Sequence, residues 1–190
     1  MDNSGKGVQR ILKTKRKKMI AVVYCQGGCR AKETLPRNMW AGDCTQVLTD
    51  HPEGVLACDW GCLGQGNCVT ACRLKAIHIG NNNTAEVDRD KCVGCGLCVK
   101  ACPKGLIQLV MPESTIMPRC SNREKAAASR TVCKVSCIAC GICEKNCPAD
   151  AIHVIENIAV IDDSKCIACG MCAMKCPRGV IRDADGIITI

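Results

Sequence analysis

Residues 92–103 read Cys92-Val-Gly-Cys-Gly-Leu-Cys-Val-Lys-Ala-Cys-Pro103, a run with the spacing C-x2-C-x2-C-x3-C-P. The same spacing recurs twice further along the chain, and an earlier run has longer intervals. The two regular repeats are Cys137, Cys140, Cys143, Cys147, Pro148 and Cys166, Cys169, Cys172, Cys176, Pro177. The stretched run is Cys58, Cys62, Cys68, Cys72. Four cysteine quartets therefore organise residues 58–177.

This spacing is the ligand pattern of bacterial-type [4Fe–4S] ferredoxins, in which the fourth cysteine of each run binds the neighbouring run's cluster. Two residues between cysteines let one loop offer three thiolates to one side of a cubane, and glycines at 94, 96, 141 and 170 allow close backbone approach. The pattern predicts four clusters. Their ligand sets are Cys58, Cys62, Cys68 with Cys102; Cys92, Cys95, Cys98 with Cys72; Cys137, Cys140, Cys143 with Cys176; and Cys166, Cys169, Cys172 with Cys147.

Further cysteines lie outside the quartets, and they predict a fifth iron–sulfur cluster. They are Cys25, Cys29, Cys44, Cys120 and Cys133. The preferred ligands are Cys25, Cys44, Cys120 and Cys133, with Cys29 as the competitor. Inert buried thiols are the alternative, since free cysteine is often buried.

Two other uses of cysteine fit the pattern poorly. An odd count of 21 cysteines does not suit a fully paired disulfide framework. The apolar stretch 19–24 is too short for the hydrophobic part of a signal peptide or for a membrane span, so a secreted chain is not expected. Zinc sites join two separated C-x2-C knuckles, which differ from three cysteines followed by C-P.

The composition also favours buried cofactors. Aromatic residues make up 2 % of the chain and Phe is absent, so side chains alone give a thin core and we expect folding to depend on cluster insertion. The formal charge of +8 counts every cysteine as neutral. An oxidised cubane with four thiolates carries about two negative charges, so four of them offset this excess. The basic balance therefore gives little support to nucleic acid as a partner.

The chain divides into five segments on these patterns. We expect a basic leader at 1–18, a cysteine-containing segment at 19–54 that begins with a buried strand, and a linker at 113–131. Two ferredoxin-like domains occupy 55–112 and 132–190, in an α+β fold of two tandem bacterial-type 2[4Fe–4S] units. A short helix lies between the third and fourth cysteines of each run and ends at the following proline. The Asn-rich tips at 81–83 and 156–157 close hairpins.

Arg73 stands where the other quartets have proline. A cation beside Cys72 is expected to stabilise the reduced cluster and raise its reduction potential. The alternative is that Arg73 points to solvent. No Gly-rich dinucleotide fingerprint, P-loop or acid–base constellation is present, so we expect no catalytic residues and no cofactor-binding residues besides the metal ligands.

Several strings resemble the cytoplasmic polyferredoxin part of the B subunit of Rnf complexes, the ferredoxin–NAD oxidoreductases. They are Val23-Tyr-Cys-Gln-Gly-Gly-Cys29, Ala57-Cys-Asp-Trp-Gly-Cys-Leu-Gly-Gln-Gly-Asn-Cys-Val-Thr-Ala-Cys72, Lys91-Cys-Val-Gly-Cys-Gly-Leu-Cys98 and Val135-Ser-Cys-Ile-Ala-Cys-Gly-Ile-Cys143. The isolated Cys44, Cys120 and Cys133 fit the same layout. The resemblance implies a subunit that takes low-potential electrons from soluble ferredoxin and passes them to a flavin- and NAD(P)-binding partner.

That B subunit normally begins with a membrane helix and a further cluster domain, where this sequence has the basic leader. We therefore expect a cytoplasmic protein of an anaerobe without a membrane span, in a soluble and electron-bifurcating oxidoreductase complex. A free-standing polyferredoxin carrier is the alternative. An iron- or redox-sensing regulator is a third hypothesis, supported by the basic leader alone.

Overall fold

The computed structural model describes residues 18–29, 32 and 35–184, where short strands and short helices alternate. The leader expected at 1–18 lies outside the described residues except for Lys18. The strands are β1 Ile20–Val23, β2 Ile77–Ile79, β3 Ala85–Val87, β4 Ile107–Val110, β5 Ile116–Pro118, β6 Ile152–Ile155, β7 Ile158–Ile161 and β8 Ile181–Asp183. The helices are α1 Cys44–Asp50, α2 Asn67–Ala71, α3 Leu97–Ala101, α4 Ala126–Val132, α5 Ile142–Lys145 and α6 Met171–Met174. This mixture agrees with the α+β class predicted.

The strands form two-stranded antiparallel sheets, which pair β1 with β4, β2 with β3, β5 with β8 and β6 with β7. The same topology therefore occurs twice: an inner hairpin, and an outer sheet that joins the first strand to the last. We refer to residues 20–110 as the first unit and to residues 116–183 as the second unit.

These boundaries differ from the sequence-based segments. Strand β1 is buried along its whole length, as predicted, but it belongs to the first unit because it pairs with β4. The interval 113–131, expected to be a linker, contains β5 and most of α4. Strand β5 has only three residues and includes a proline, so the sequence carries little strand signal there. All three β5 residues are buried, and pairing with β8 supplies the hydrogen bonds that their backbone polar groups need.

The hairpin tips lie where the polar residues predicted them. The turn between β2 and β3 contains Asn83 with a φ of 57°, and the turn between β6 and β7 contains Glu156 and Asn157 with φ of 48° and 65°. Two successive residues with positive φ form the tight turns whose twist matches a hairpin, and asparagine tolerates this conformation.

Short helices also occur where they were predicted, between the third and fourth cysteines of each run. Each follows a glycine in the left-handed conformation, namely Gly66, Gly96, Gly141 or Gly170. Helix α2 ends at Ala71 although Arg73 stands in the place of proline, so a helix at this position does not need proline to end. In the described part of the chain, no helix has the length and apolar composition needed to cross a bilayer.

The cores are built partly from thiols. In the first unit, Cys68, Cys92 and Cys98 pack among buried aliphatic residues such as Ile20 and Ile77. The core of the second unit combines Cys120, Cys137, Cys143 and Cys172 with aliphatic residues of β5 to β8. Cysteine therefore occupies positions that large apolar side chains fill in most domains.

Residues 24–29, which we call the junction segment, connect the two units. The Nε2 of Gln26 donates to the carbonyl of Val180 at 2.9 Å, in the second unit. The Nδ2 of Asn82, in the first unit, donates to the carbonyl of Gln26 at 2.7 Å. Cys29 forms an isolated antiparallel β-bridge with Cys133. The end of β1 is thereby fixed to both units.

Candidate metal centres

Two cavities are each lined by four cysteines drawn from two different quartets. The first-unit cavity is lined by Cys72, Cys92, Cys95 and Cys98. The second-unit cavity is lined by Cys137, Cys140, Cys143 and Cys176. In both, three cysteines come from one loop and the fourth from the partner loop. These are the crossed groups that the spacing predicts, and cluster binding by them stays a prediction.

A third crossed group surrounds Cys172 on α6. Burial raises the pKa of Cys172 to about 11, and the neighbouring thiols of Cys166, Cys147 and Cys169 contribute to this rise. A thiol with such a pKa is protonated at neutral pH, and it becomes a thiolate when a metal supplies the compensating charge. The second unit thus brings together both of its predicted ligand sets.

The remaining group differs from the one predicted. The cavity beside α2 is lined by Cys44, Cys62, Cys68 and Cys102, and not by Cys58. Burial raises the pKa of Cys68 to about 12, and the thiols of Cys62, Cys102 and Cys44 contribute to this rise. In this cavity Cys44 lies where the sequence pattern predicts Cys58, and cluster binding by either residue stays a prediction.

Helix α1 holds Cys44 against α2. Cys44 is the first residue of α1, and its backbone N–H donates to the Oδ1 of Asn67 at 2.5 Å. The N-cap residue Asp43 accepts hydrogen bonds from the backbone N–H groups of Thr45 and Gln46. An aspartate cap of this kind fixes the start of a helix, so the direction of Cys44 is set locally.

The loop from Cys62 to Cys68 explains why Cys44, and not Cys58, lines this cavity. The run Cys62-Leu-Gly-Gln-Gly-Asn-Cys68 has the same glycine positions as Cys92-Val-Gly-Cys-Gly-Leu-Cys98. Both loops place these glycines at positive φ, 79° and 84° in the first and 64° and 77° in the second. Gln65 therefore stands where Cys95 stands, and this loop offers two thiols instead of three. The matching glycine positions are a sequence signal that this loop begins at Cys62, so that Cys58 lies outside it.

A repeated backbone feature supports each fourth cysteine. Its Sγ accepts a hydrogen bond of 3.3–3.4 Å from the backbone N–H four residues later, in the pairs Cys72–Ala76, Cys102–Leu106, Cys147–Ala151 and Cys176–Val180. The residue before each donor has positive φ, and these residues are Lys75, Gly105, Asp150 and Gly179. Donors aimed at sulfur stabilise the thiolate and raise the reduction potential of a cluster bound to it.

The glycines of the cysteine loops serve two purposes. A Cβ on Gly94 would lie 2.3 Å from the carbonyl oxygen of Met19, so glycine is needed there for close approach, as predicted. A Cβ on Gly96 would meet only Leu109 at 3.8 Å, and one on Gly141 would meet nothing within 4 Å. At these two positions the left-handed backbone, not close approach, is the reason for glycine.

The remaining predicted ligands are arranged in a different way from the set expected. The backbone N–H of Cys58 donates to the Sγ of Cys29 at 3.1 Å, and Cys29 is bridged to Cys133. Cys120 accepts hydrogen bonds of 3.4 Å from the backbone N–H groups of Asn122 and Cys137. The expected set of Cys25, Cys44, Cys120 and Cys133 is therefore divided, since Cys44 lies at the α2 cavity.

The donor set fits iron–sulfur clusters. Within residues 18–29, 32 and 35–184, no group of three or more Cys, His, Asp or Glu is placed to hold a single metal ion. A cubane keeps its thiolates further apart than one ion does, because iron and sulfide atoms lie between them. Groups of four thiols around apolar cavities have the ligand type and number that a cubane requires.

Comparison with protein families agrees with this chemistry. Models of the 4Fe-4S dicluster domain match residues 57–109, 91–152 and 136–180. The matched residues include all four quartets. A structural match, part of a formate dehydrogenase–heterodisulfide reductase–formylmethanofuran dehydrogenase complex from Methanospirillum hungatei, covers 64 % of this chain and 51 % of that chain at 21 % identity and a TM-score of 0.26. That similarity is too low to indicate a shared fold.

Similar curated proteins are the B subunits of ferredoxin:NAD(+) and related ion-translocating oxidoreductase complexes. The B subunit of the Na(+)-translocating ferredoxin:NAD(+) oxidoreductase complex of Acetobacterium woodii is 40 % identical over 148 residues, which are 78 % of this chain and 44 % of that protein. The B subunit of the proton-translocating complex of Clostridium ljungdahlii is 40 % identical over 147 residues, 76 % of this chain and 51 % of that protein. The B subunit of the ion-translocating oxidoreductase complex of Methanosarcina acetivorans is 38 % identical over 154 residues, which are 80 % of this chain and 57 % of that protein. The chain spans about half the length of these relatives. Residues 57–180 carry 4Fe–4S dicluster ferredoxin domains.

Proposed function

We propose that this chain is an iron–sulfur electron-transfer subunit that relays single low-potential electrons between soluble ferredoxin and a flavin- and NAD(P)-binding partner. The observation that carries the proposal is the grouping of cysteines from different loops into sets of four. The sets proposed as cluster ligands are Cys72, Cys92, Cys95, Cys98; Cys44, Cys62, Cys68, Cys102; Cys137, Cys140, Cys143, Cys176; and Cys147, Cys166, Cys169, Cys172.

A [4Fe–4S] cluster bound at each set would accept and release one electron at low potential. The chain supplies the thiolates, and aliphatic residues such as Ile77 and Ile181 cover them from water. The backbone N–H groups that point at the fourth cysteine of each set supply positive partial charge. Burial lowers the reduction potential, and these donors raise it. The balance of the two effects sets the potential at each site.

One face of the first unit has the properties of a ferredoxin-docking surface. Cys95 is exposed, and its cavity is lined by Leu74, Val93 and Leu97, of which Val93 is 57 % exposed. Arg73 lines the same cavity and is exposed. Apolar contacts around an exposed ligand allow a redox partner to approach closely, and a basic rim attracts the acidic surface of a ferredoxin.

The proposed partner is inferred from the relatives, and the proposed cellular compartment is inferred from the cysteines. The relatives are subunits of ferredoxin:NAD(+) oxidoreductase complexes, which supports a partner that binds a nicotinamide nucleotide. A chain with 21 reduced cysteines suits the reducing cytoplasm, so a soluble complex there is part of the proposal. Electron bifurcation stays a prediction, because it depends on the flavin site of the partner.

The docking proposal is tested by reduction kinetics. The anaerobically purified chain is mixed with reduced ferredoxin in a stopped-flow spectrometer, and bleaching of its visible absorbance is followed. Val93→Asp should slow reduction by ferredoxin by about tenfold, since it adds negative charge and removes an apolar contact at the docking face. Ile155→Asp is the matched control, because Ile155 is similarly exposed on β6 and lines none of the cysteine cavities described above.

Dithionite must reduce both variants as completely as it reduces the wild type. Equal rates with ferredoxin for all three proteins would reject the Cys95 face as the docking surface.

Native mass spectrometry of the protein from its source separates a complex subunit from a free carrier. A lone chain of 20.3 kDa as the main species would favour the carrier.

A further inference from the structure

Four thiols that belong to none of these groups converge where the two units meet. Cys25 and Cys29 come from the junction segment, Cys58 from the loop before α2, and Cys133 from the end of α4. The Sγ of Cys29 accepts a hydrogen bond from the backbone N–H of Cys58 at 3.1 Å. The thiols of Cys29 and Cys133 both interact electrostatically with that of Cys58, and those of Cys29 and Cys25 with that of Cys133.

The backbone is shaped to bring these thiols together. The carbonyl of Gly27 accepts a hydrogen bond from the Sγ of Cys133 at 3.5 Å. Gly28 has a φ of 87°, and a Cβ there would lie 2.7 Å from Cγ2 of Val135 and 3.5 Å from the Sγ of Cys133. Any other residue at position 28 would strain the backbone and displace the side chain of Val135, which lies in the second unit. The glycine pair between Cys25 and Cys29 therefore allows the two units to approach.

Arg37 supplies positive charge at this place. Its Nη1 donates to the carbonyl of Leu63 at 2.8 Å, and its guanidinium lies 4.7 Å from the ring centroid of Trp40. The thiols of Cys29, Cys62 and Cys25 all interact electrostatically with Arg37, and the interaction with Cys29 is the strongest. The contacts with Leu63 and Trp40 thus hold a guanidinium within electrostatic range of Cys29 and Cys25.

Two more arginines flank the same thiols. Arg119 is mostly buried, and the thiolate of Cys25 acts on its charge more strongly than the carboxylate of Glu86 does. The Nη2 of Arg178 donates to the carbonyl of Cys133 at 2.6 Å, and its charge acts on the thiol of Cys133. Among the described residues, neither of them nor Arg37 forms a salt bridge with a carboxylate. All three donate to backbone carbonyls, and partly buried cations without a salt bridge favour an anion nearby.

We propose that Cys25, Cys29, Cys58 and Cys133 bind a fifth [4Fe–4S] cluster, whose negative charge is compensated by the three arginines. This proposal rests on the proposed function and replaces the ligand set expected from the sequence. Cys62 interacts electrostatically with Cys25, so the site lies beside the α2 cavity of the first unit. It also lies beside the second unit, since Cys133 follows α4 directly.

Cys120 is the competing fourth ligand. It lies near both Cys133 and Cys137, and its side chain is buried. Its sulfur already accepts two backbone hydrogen bonds, from Asn122 and Cys137. The charges that act on it are those of neighbouring thiols, whereas Cys25 interacts with the guanidinium groups of Arg37 and Arg119. Cys120 therefore serves as a matched buried-thiol control.

Iron and acid-labile sulfide counts per chain test the proposal, with wild-type protein purified anaerobically. Five cubanes give about 20 iron. Cys58→Ala and Cys29→Ala should each give about 16, and the Cys58→Ala/Cys29→Ala double variant should also give about 16, because both thiols bind one cluster. Cys58→Ala combined with Cys68→Ala should give about 12, because these thiols bind different clusters. Cys120→Ala should keep about 20.

The opposite pattern overturns the proposal. If Cys58 belonged with Cys68, their double variant would keep about 16 iron, and the double variant of Cys58 and Cys29 would fall to about 12. Native mass spectrometry of the unmodified wild-type chain gives an independent count that no folding defect can disturb. A mass with only four cubanes, or with four cubanes and a zinc ion, rejects the fifth cluster and leaves the proposed function intact. A wild-type chain without iron rejects both.

Discussion

The second unit contains two regular cysteine loops, whereas one loop of the first unit is incomplete. In the second unit, Ala139 and Ala168 adopt the same positive φ that Gly64 and Gly94 adopt in the first. The first unit carries residues 24–66 between β1 and α2, against residues 119–141 between β5 and α5 in the second. The longer insertion brings Cys44 to the loop that holds Gln65. On the proposed assignment, the inserted helix supplies the thiol that the loop lacks, which leaves Cys58 for another use.

Iron removal should abolish the structure of both units, and this is the largest effect expected. Both cores contain buried thiols, which lose their ligand role when iron and sulfide leave. The insertion adds a small apolar cluster of Trp40, Val47, Val55, Leu56 and Leu63, and we do not expect it to hold the first unit together alone.

The measurement is far-ultraviolet circular dichroism with thermal unfolding, before and after anaerobic chelation. The expected result is loss of the cooperative transition and a red shift of tryptophan emission. Reconstitution with iron and sulfide is the control and should restore both signals. A chelated protein that keeps its transition would contradict the dependence of either unit on its clusters.

Gln65→Cys should convert the incomplete loop into a regular one. The glycines around Gln65 already have the conformation found around Cys95, so a thiol there would point as that of Cys95 does. In a Cys44→Ala background, which should lose about four irons, Gln65→Cys should restore them. Gln65→Ser in the same background is the control and should restore none. Iron analysis is the measurement, and failure of Gln65→Cys to recover iron would break the equivalence of the two loops.

Much of this architecture can be predicted from the spacing of the cysteines. The spacing predicts three groups that the structure also brings together, and the short helices, whereas the apolar run 19–24 predicts the buried strand β1. The exchange of Cys44 for Cys58 depends on how α1 packs against Asn67, a contact between residues distant in sequence. Strand β5 cannot be predicted in this way because three residues with a proline carry little pattern, and only its pairing with β8 shows its role.

Gly94→Ala should destabilise the holoprotein by about 3 kcal/mol, since a Cβ there collides with the backbone of Met19 and the φ is positive. Ala139 occupies the equivalent place in the second unit with a φ of 51°, so Ala139→Gly should change stability by less than about 1 kcal/mol. Thermal unfolding of the iron-loaded variants is the measurement. If both substitutions changed stability equally, the close contact between Gly94 and Met19, the residue before β1, would not restrict the first-unit loop.

The smallest effects expected concern the cations near the first unit. Arg37 interacts electrostatically with Cys62 and Cys29, and a cation stabilises the more negative, reduced form of a nearby cluster. Arg37→Gln should therefore lower a midpoint potential by about 40 mV, which corresponds to about 1 kcal/mol for one electron. Arg73 is exposed beside Cys72, where water and salt screen its charge, so Arg73→Gln should lower a potential by less than about 10 mV. Redox titration followed by EPR measures both. A larger shift from Arg73 than from Arg37 would contradict the proposal that Arg37 compensates the negative charge of a nearby cluster.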